Sequence, residues 1–130
     1  MKNIFFCFFL ISSPLHAEML RYGTKEGVKT AEVQSVKIQD AFIKLSGSES
    51  SIAYRKLKQF KIASTKSLFH PRKNLAMLVC EEKFKGSIGL GINEQNNSVS
   101  FCLFNDESFI DINSLEFWLQ EHEFEIVRKK

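Results

Sequence analysis

Residues 86–104, GSIGLGINEQNNSVSFCLF, decide the fold reading, because two short apolar runs flank a polar cluster. Ser87 to Ile92 reads as a strand, Asn93 to Asn97 as a turn, and Ser98 to Phe104 as the returning strand, with Val99, Phe101 and Leu103 alternating against Ser100, Cys102 and Phe104. Gly86, Gly89 and Gly91 superficially suggest a phosphate-cradling loop. They precede a strand and lack a Gly-Lys-Ser/Thr ending, so close-packed glycines in a hairpin are the simpler explanation.

Helices are predicted on both sides of this hairpin. Upstream, Pro71 fits a first helical turn with His70 at the cap, and Leu75, Met77, Leu78, Val79 and Cys80 give that helix an apolar side ending near Lys85-Gly86. Downstream, Asn105 to Ser108 makes another turn, and Asp111 or Asn113 can cap a closing helix. Leu115, Trp118 and Leu119 fall on its core stripe, with Glu116, Gln120 and Glu121 on its wet side.

Before His70 the pattern is less decisive. Val36, Ile38, Ala41, Ile43 and Leu45 suggest period-two strands broken at Gln39-Asp40. Ser48 to Ile62 can be a serine-capped helix burying Ile52, Ala53, Leu57 and Phe60, or an alternating strand through Ile52, Tyr54, Phe60 and Ile62; the helix is favoured. Together these elements predict a small single α+β domain: an antiparallel sheet or hairpin packed with two or three short helices and stapled by one disulfide.

The N-terminus reads as an address. Lys2 supplies a positive charge, Ile4 to Ile11 is an unbroken apolar run, and Ser12 to Ala17 is a helix-breaking segment ending in a small residue. This is the pattern of a secretory signal peptide, residues 1–17, cut between Ala17 and Glu18. A lipid anchor on Cys7 is disfavoured by the bulky phenylalanines before it. The run is also far short of the ~20 residues of a membrane-spanning helix. Removal of 17 of the 130 residues leaves 113, the size of one domain, residues 18–130, and lowers the formal charge from +3 to +2 through loss of Lys2. A periplasmic or secreted destination follows. There an even pair of cysteines, Cys80 and Cys102, is expected to form a disulfide, and no additional ligands at metal-site spacing are evident.

Charge falls in blocks. Residues 52–73 hold seven basic side chains, Arg55, Lys56, Lys58, Lys61, Lys66, Arg72 and Lys73, and no acid. Residues 81–125 hold ten acids against Lys83 and Lys85. Two solvated faces attracting one another explain this most simply. If Ser48 to Ile62 is helical, however, Arg55, Lys58 and Lys61 or Lys66 form a positive strip beside Tyr54 that could meet lipid phosphates or another polyanion.

Residues 70–120 also carry an ordered set: Pro71, Cys80, Gly86, Cys102, Phe104, Asp106, Ser108 and Trp118. This order resembles a hemolysin-type family of small exported bacterial domains of unknown role. His70 stands where that family has Asn, and Glu107 where it usually has Gly. The resemblance implies an envelope domain with a disulfide and does not by itself imply lysis.

No catalytic motif stands out. His70 is accounted for as a cap and His122, between Glu121 and Glu123, as a polar helix position; no serine lies in a nucleophile-elbow context. The sequence therefore predicts a non-enzymatic exported envelope or interaction domain without cofactor or metal, partnered by an unidentified protein or envelope component. Nucleic acid is a poor fit. The alternatives are an anionic-surface binder using residues 55–73 and a hydrolase whose site the sequence conceals.

Overall fold

The computed structural model describes residues 17–61 and 74–129, with side chains for 18–61 and 74–121; residues 1–16, 62–73 and 130 lie outside that description. Six antiparallel strands form a closed barrel: β1 (Ala17–Thr24), β2 (Gly27–Ile38), β3 (Ala41–Ser46), β4 (Ser87–Ile92), β5 (Ser98–Leu103) and β6 (Phe109–Asp111), in spatial order β1-β2-β3-β6-β5-β4. Two three-stranded meanders meet at β3–β6 and at β1–β4. This corrects the expected sheet-plus-helices packing. β1, the first part of β2 and the three-residue β6, none of which the sequence pattern marked as strand, supply the missing walls, and β1 closes the sheet on β4.

The connection from β3 to β4 carries α1 (Ile52–Gln59) and α2 (Leu75–Leu78), the latter continuing as a π-helical turn over Val79–Lys83; α3 (Ile112–Lys129) follows β6. The helix reading of Ser48–Ile62 therefore holds, in shortened form. Ser51 Oγ accepts from Tyr54 N–H at 3.3 Å, which fixes the start of α1. The β2–β3 turn places both Gln39 and Asp40 at positive φ, as a two-residue hairpin with strand-matched twist requires. That conformation lets Gln39 Nε2 donate to the carbonyls of Leu57 at 2.7 Å and Phe60 at 2.9 Å, capping the end of α1.

The second helix starts later than expected. Asn74 is its cap, accepting from Met77 N–H at 2.8 Å, while His70 and Pro71 lie outside the described residues. Asp111 caps α3 by accepting from Ser114 N–H at 2.8 Å. Glu116 is not on a wet side, since its Oε2 accepts from Ala76 N–H at 2.8 Å and so caps α2 from the neighbouring helix.

Strand alternation divides the apolar side chains into two cores. Leu20, Tyr22, Val33, Phe101 and Phe109 fill the barrel interior, with Phe101 and Phe109 rings 4.7 Å apart. Outside the barrel, Ala41, Ile43, Leu45, Cys102 and Ile110 meet Leu57, Phe84, Leu115, Trp118 and Leu119 from the helices. Trp118 is 1% exposed and its indole N–H donates to Ile38 O at 2.9 Å, satisfying its polar end within that layer. Close approach explains the glycines: a Cβ on Gly89 would lie 2.7 Å from the Phe101 ring, and one on Gly86 2.6 Å from Cys102 Sγ.

Candidate functional site

Cys80, in the π-helical turn, and Cys102, on β5, are joined as a disulfide with Cα atoms 5.7 Å apart. Both are fully buried, so the bond staples helix to barrel. The basic strip takes shape only in part. Arg55, Lys58 and Lys61 are exposed, with the Lys58 ammonium 6.0 Å from the Tyr54 ring centroid. Arg55 Nε donates to Ser51 O at 3.4 Å. Lys66, Arg72, Lys73, His70 and the side chain of His122 lie outside the described residues.

Among the described residues the acidic region reaches the basic helix through Asp106. Asp106 Oδ2 accepts from Ile52 N–H at 2.9 Å, and Oδ1 accepts from the backbone N–H and hydroxyl of Ser108. Ser108 Oγ in turn accepts from Ala53 N–H at 3.1 Å. The free donors at the start of α1 are thus already used by the β5–β6 turn. Partial burial pushes the Asp106 carboxyl up, but the hydrogen bonds from Ser108 and Ile52 outweigh it and hold the group below its ordinary value.

Among the described residues nothing covers the outer wall opposite the helices. Met19 and Arg21 on β1, Val28 on β2 and Leu90 and Ile92 on β4 all point outward there. Val28 is 77% exposed, Leu90 69%, Ile92 44% and Met19 41%. This wall contains the barrel seam, where β1 and β4 pair only at Arg21–Ile92 and Tyr22–Gly91. Beyond those pairs the strands part, and a groove of about 400 Å³ runs between the β1–β2 hairpin and β4. Ser87 to Leu90 have β5 on one side and no β1 partner on the other.

The barrel ends differ as well. At one end Lys29, inward-facing on β2, forms an ion pair with Glu107 of the β5–β6 turn, and hydrogen bonding to Glu107 raises the Lys29 ammonium above its usual value. At the other end a cavity of about 210 Å³ opens between Glu18, Lys44 and Asp111. Its floor is Leu20, Val33 and Phe109, the upper surface of the interior core. Among the described residues no group of three or more His, Cys, Asp or Glu side chains converges as a metal site.

Comparison with known proteins yields no matching family model, no matching curated protein and no matching solved structure. The bare wall and the barrel mouth were both missed in the sequence reading. The wall's only sequence signal is outward Val28, Leu90 and Ile92, which look like core residues until closure of the barrel assigns their face.

Proposed function

We propose that this chain is a small exported interaction module of the cell envelope, without catalytic activity, that binds an extended segment of a partner protein at the bare seam. The carrying observation is the coincidence of an unpaired β4 edge at Ser87–Leu90 with exposed Val28, Leu90 and Ile92 on one wall. An added strand gains affinity from main-chain hydrogen bonds and specificity from alternate side chains. Arg21, between the apolar residues, adds charge complementarity for an acidic residue in that segment. The proposed export agrees with where the barrel starts: a cut after Ala17 leaves Leu20 and Tyr22 and the whole interior core in place. The likeness of residues 70–120 to exported hemolysin-type domains supports the same destination.

The test is site-specific photo-crosslinking in intact cells, with the reactive residue at position 90 or, as a control on α1, at position 55. The proposal expects one defined protein adduct at 90 that is lost in Arg21→Glu. Adducts of equal yield at both positions, or lipid adducts at 90, would overturn it.

A second reading uses α1. Arg55 and Lys58 lie exposed on a helix with no acid in its first turn. Retention on anionic vesicles that disappears at high salt and in Arg55→Glu/Lys58→Glu would favour that reading.

A further inference from the structure

The two barrel ends share one plan and differ in which carboxylates reach the ammonium. Both place an inward-facing strand lysine among carboxylates at the rim of an apolar interior. At the Lys29–Glu107 end both nearby carboxylates contact the one ammonium, Glu107 across the opening and Glu26 at 3.9 Å. At the other end two carboxylates, Glu18 from β1 and Asp111 from β6, share one ammonium, Lys44 from β3. Lys44 Nζ lies 3.4 Å from Glu18, so its charge is directed chiefly to that side.

Asp111 is the unbalanced member. Its Oδ2 is committed to Ser114 N–H, which fixes the side chain at the start of α3 and against the cavity. Burial pushes its carboxyl above the ordinary value, and Glu18 adds to the rise; the Ser114 hydrogen bond and Lys44 oppose it without cancelling it. A carboxylate in that position is short of solvation and short of positive charge.

The floor limits what can supply the charge. Leu20, Val33 and Phe109 are apolar and nearly fully buried, so the deep end of the cavity rewards a hydrocarbon and gives no ligand for a metal. The volume, about 210 Å³, holds on the order of seven waters and lies below the range of drug-sized pockets. Barrel mouths are common places for such sites. We infer that the open mouth of the barrel is a binding site for a small organic cation, an alkylammonium or guanidinium with a short apolar body, whose charge sits between Asp111 and Glu18 and whose body rests on Leu20, Val33 and Phe109. This site is separate from the seam groove and does not depend on the protein-partner reading.

Three probes of one shape and different charge test it: pentylammonium, pentanol and pentanoate, titrated into the oxidised protein and followed by amide chemical shifts. The expected result is saturable binding of pentylammonium with shifts grouped on Val33, Lys44, Val99 and Phe109, at least tenfold weaker binding of pentanol, and none of pentanoate. Binding should weaken as pH falls and Asp111 takes up a proton, with Glu18 and Lys44 the other charged groups facing it.

Asp111→Asn keeps a good helix-capping side chain and should lose at least tenfold in affinity. Glu18→Gln, on the strand rim, should lose less. Lys44→Gln should bind the cation more tightly, a gain that loss of structure would not produce. Equal or tighter binding of pentanoate, unchanged affinity in both carboxylate variants, or shifts away from the mouth would each overturn the assignment.

Discussion

The wall of β3, β5 and β6 and the wall of β1, the start of β2 and β4 are built from similar alternating strands, yet among the described residues one is sealed and the other is open. On the first, outward Ala41, Ile43, Leu45, Cys102 and Ile110 are covered by α1, the π-helical turn and α3. On the second, outward Met19, Val28, Leu90 and Ile92 meet solvent. The described helices all pack on one side. Alternation thus marks two faces of a strand, and the layer packed against each face decides which is core.

The sharpest break of this contrast is Trp118→Ala. Trp118 ties α3 to the end of α1 through the Phe60 ring, centroids 6.0 Å apart, and to β2 through the hydrogen bond to Ile38 O. Removing it should cost about 3–5 kcal/mol, a large share of the roughly 5–15 kcal/mol that holds a small domain together. Chemical denaturation reads the loss, and native tryptophan emission should be blue-shifted and poorly quenched by acrylamide. Solvent-like emission would remove Trp118 from the covered layer.

Next is reduction of Cys80–Cys102, which closes a sequence separation of 22 residues between helix and covered wall. The loop-entropy estimate is about 3 kcal/mol, seen as a drop of several degrees in Tm. Two thiols freely alkylated in the native, unreduced protein would contradict the staple.

Gly89→Ala tests the barrel interior between the two walls. The new methyl would meet the Phe101 ring at 2.7 Å, and overpacking of this kind costs about 1–3 kcal/mol. Scanning calorimetry should show a lower Tm; an unchanged Tm would mean the ring swings aside freely.

A smaller effect follows from Asp106, which ties the β5–β6 turn to α1. Its folded-state pKa is lowered from 3.8, so its contribution is fully present above that value and is lost as pH falls through the folded-state pKa. Stability measured against Asp106→Asn should therefore differ most near neutrality, and the two curves should converge in acid. A difference independent of pH would show that the carboxylate charge is not involved.

What was legible in the sequence follows the same division. The β4–β5 hairpin, the Gln39-Asp40 turn, the Trp118 stripe and the disulfide all depend on local spacing or on cysteine pairing, and all are present. The barrel depends on β1 meeting β4 about seventy residues away and on β6 bridging β3 to β5 with only three residues. No local pattern carries either pairing. The mouth was illegible for the same reason, since Glu18, Lys44 and Asp111 are brought together by closure. Asp111 was recognisable as a helix cap, which is only half of its setting.

The smallest expected effect is on the bare wall, and it gives the contrast its control. Leu90 is largely exposed and packs in neither core, so Leu90→Ser removes little area that folding had taken from water. Its unfolding free energy should stay within about 0.5 kcal/mol of the parent, the usual range for surface substitutions. The same substitution on the covered wall, Ile43→Ser, should be severely destabilising, because it leaves a cavity and a buried hydroxyl. Paired urea denaturation curves compare the two directly. If Leu90→Ser proved as costly as Ile43→Ser, the β1–β4 wall would be a core surface covered by part of this same chain, and a docking role for it would fail.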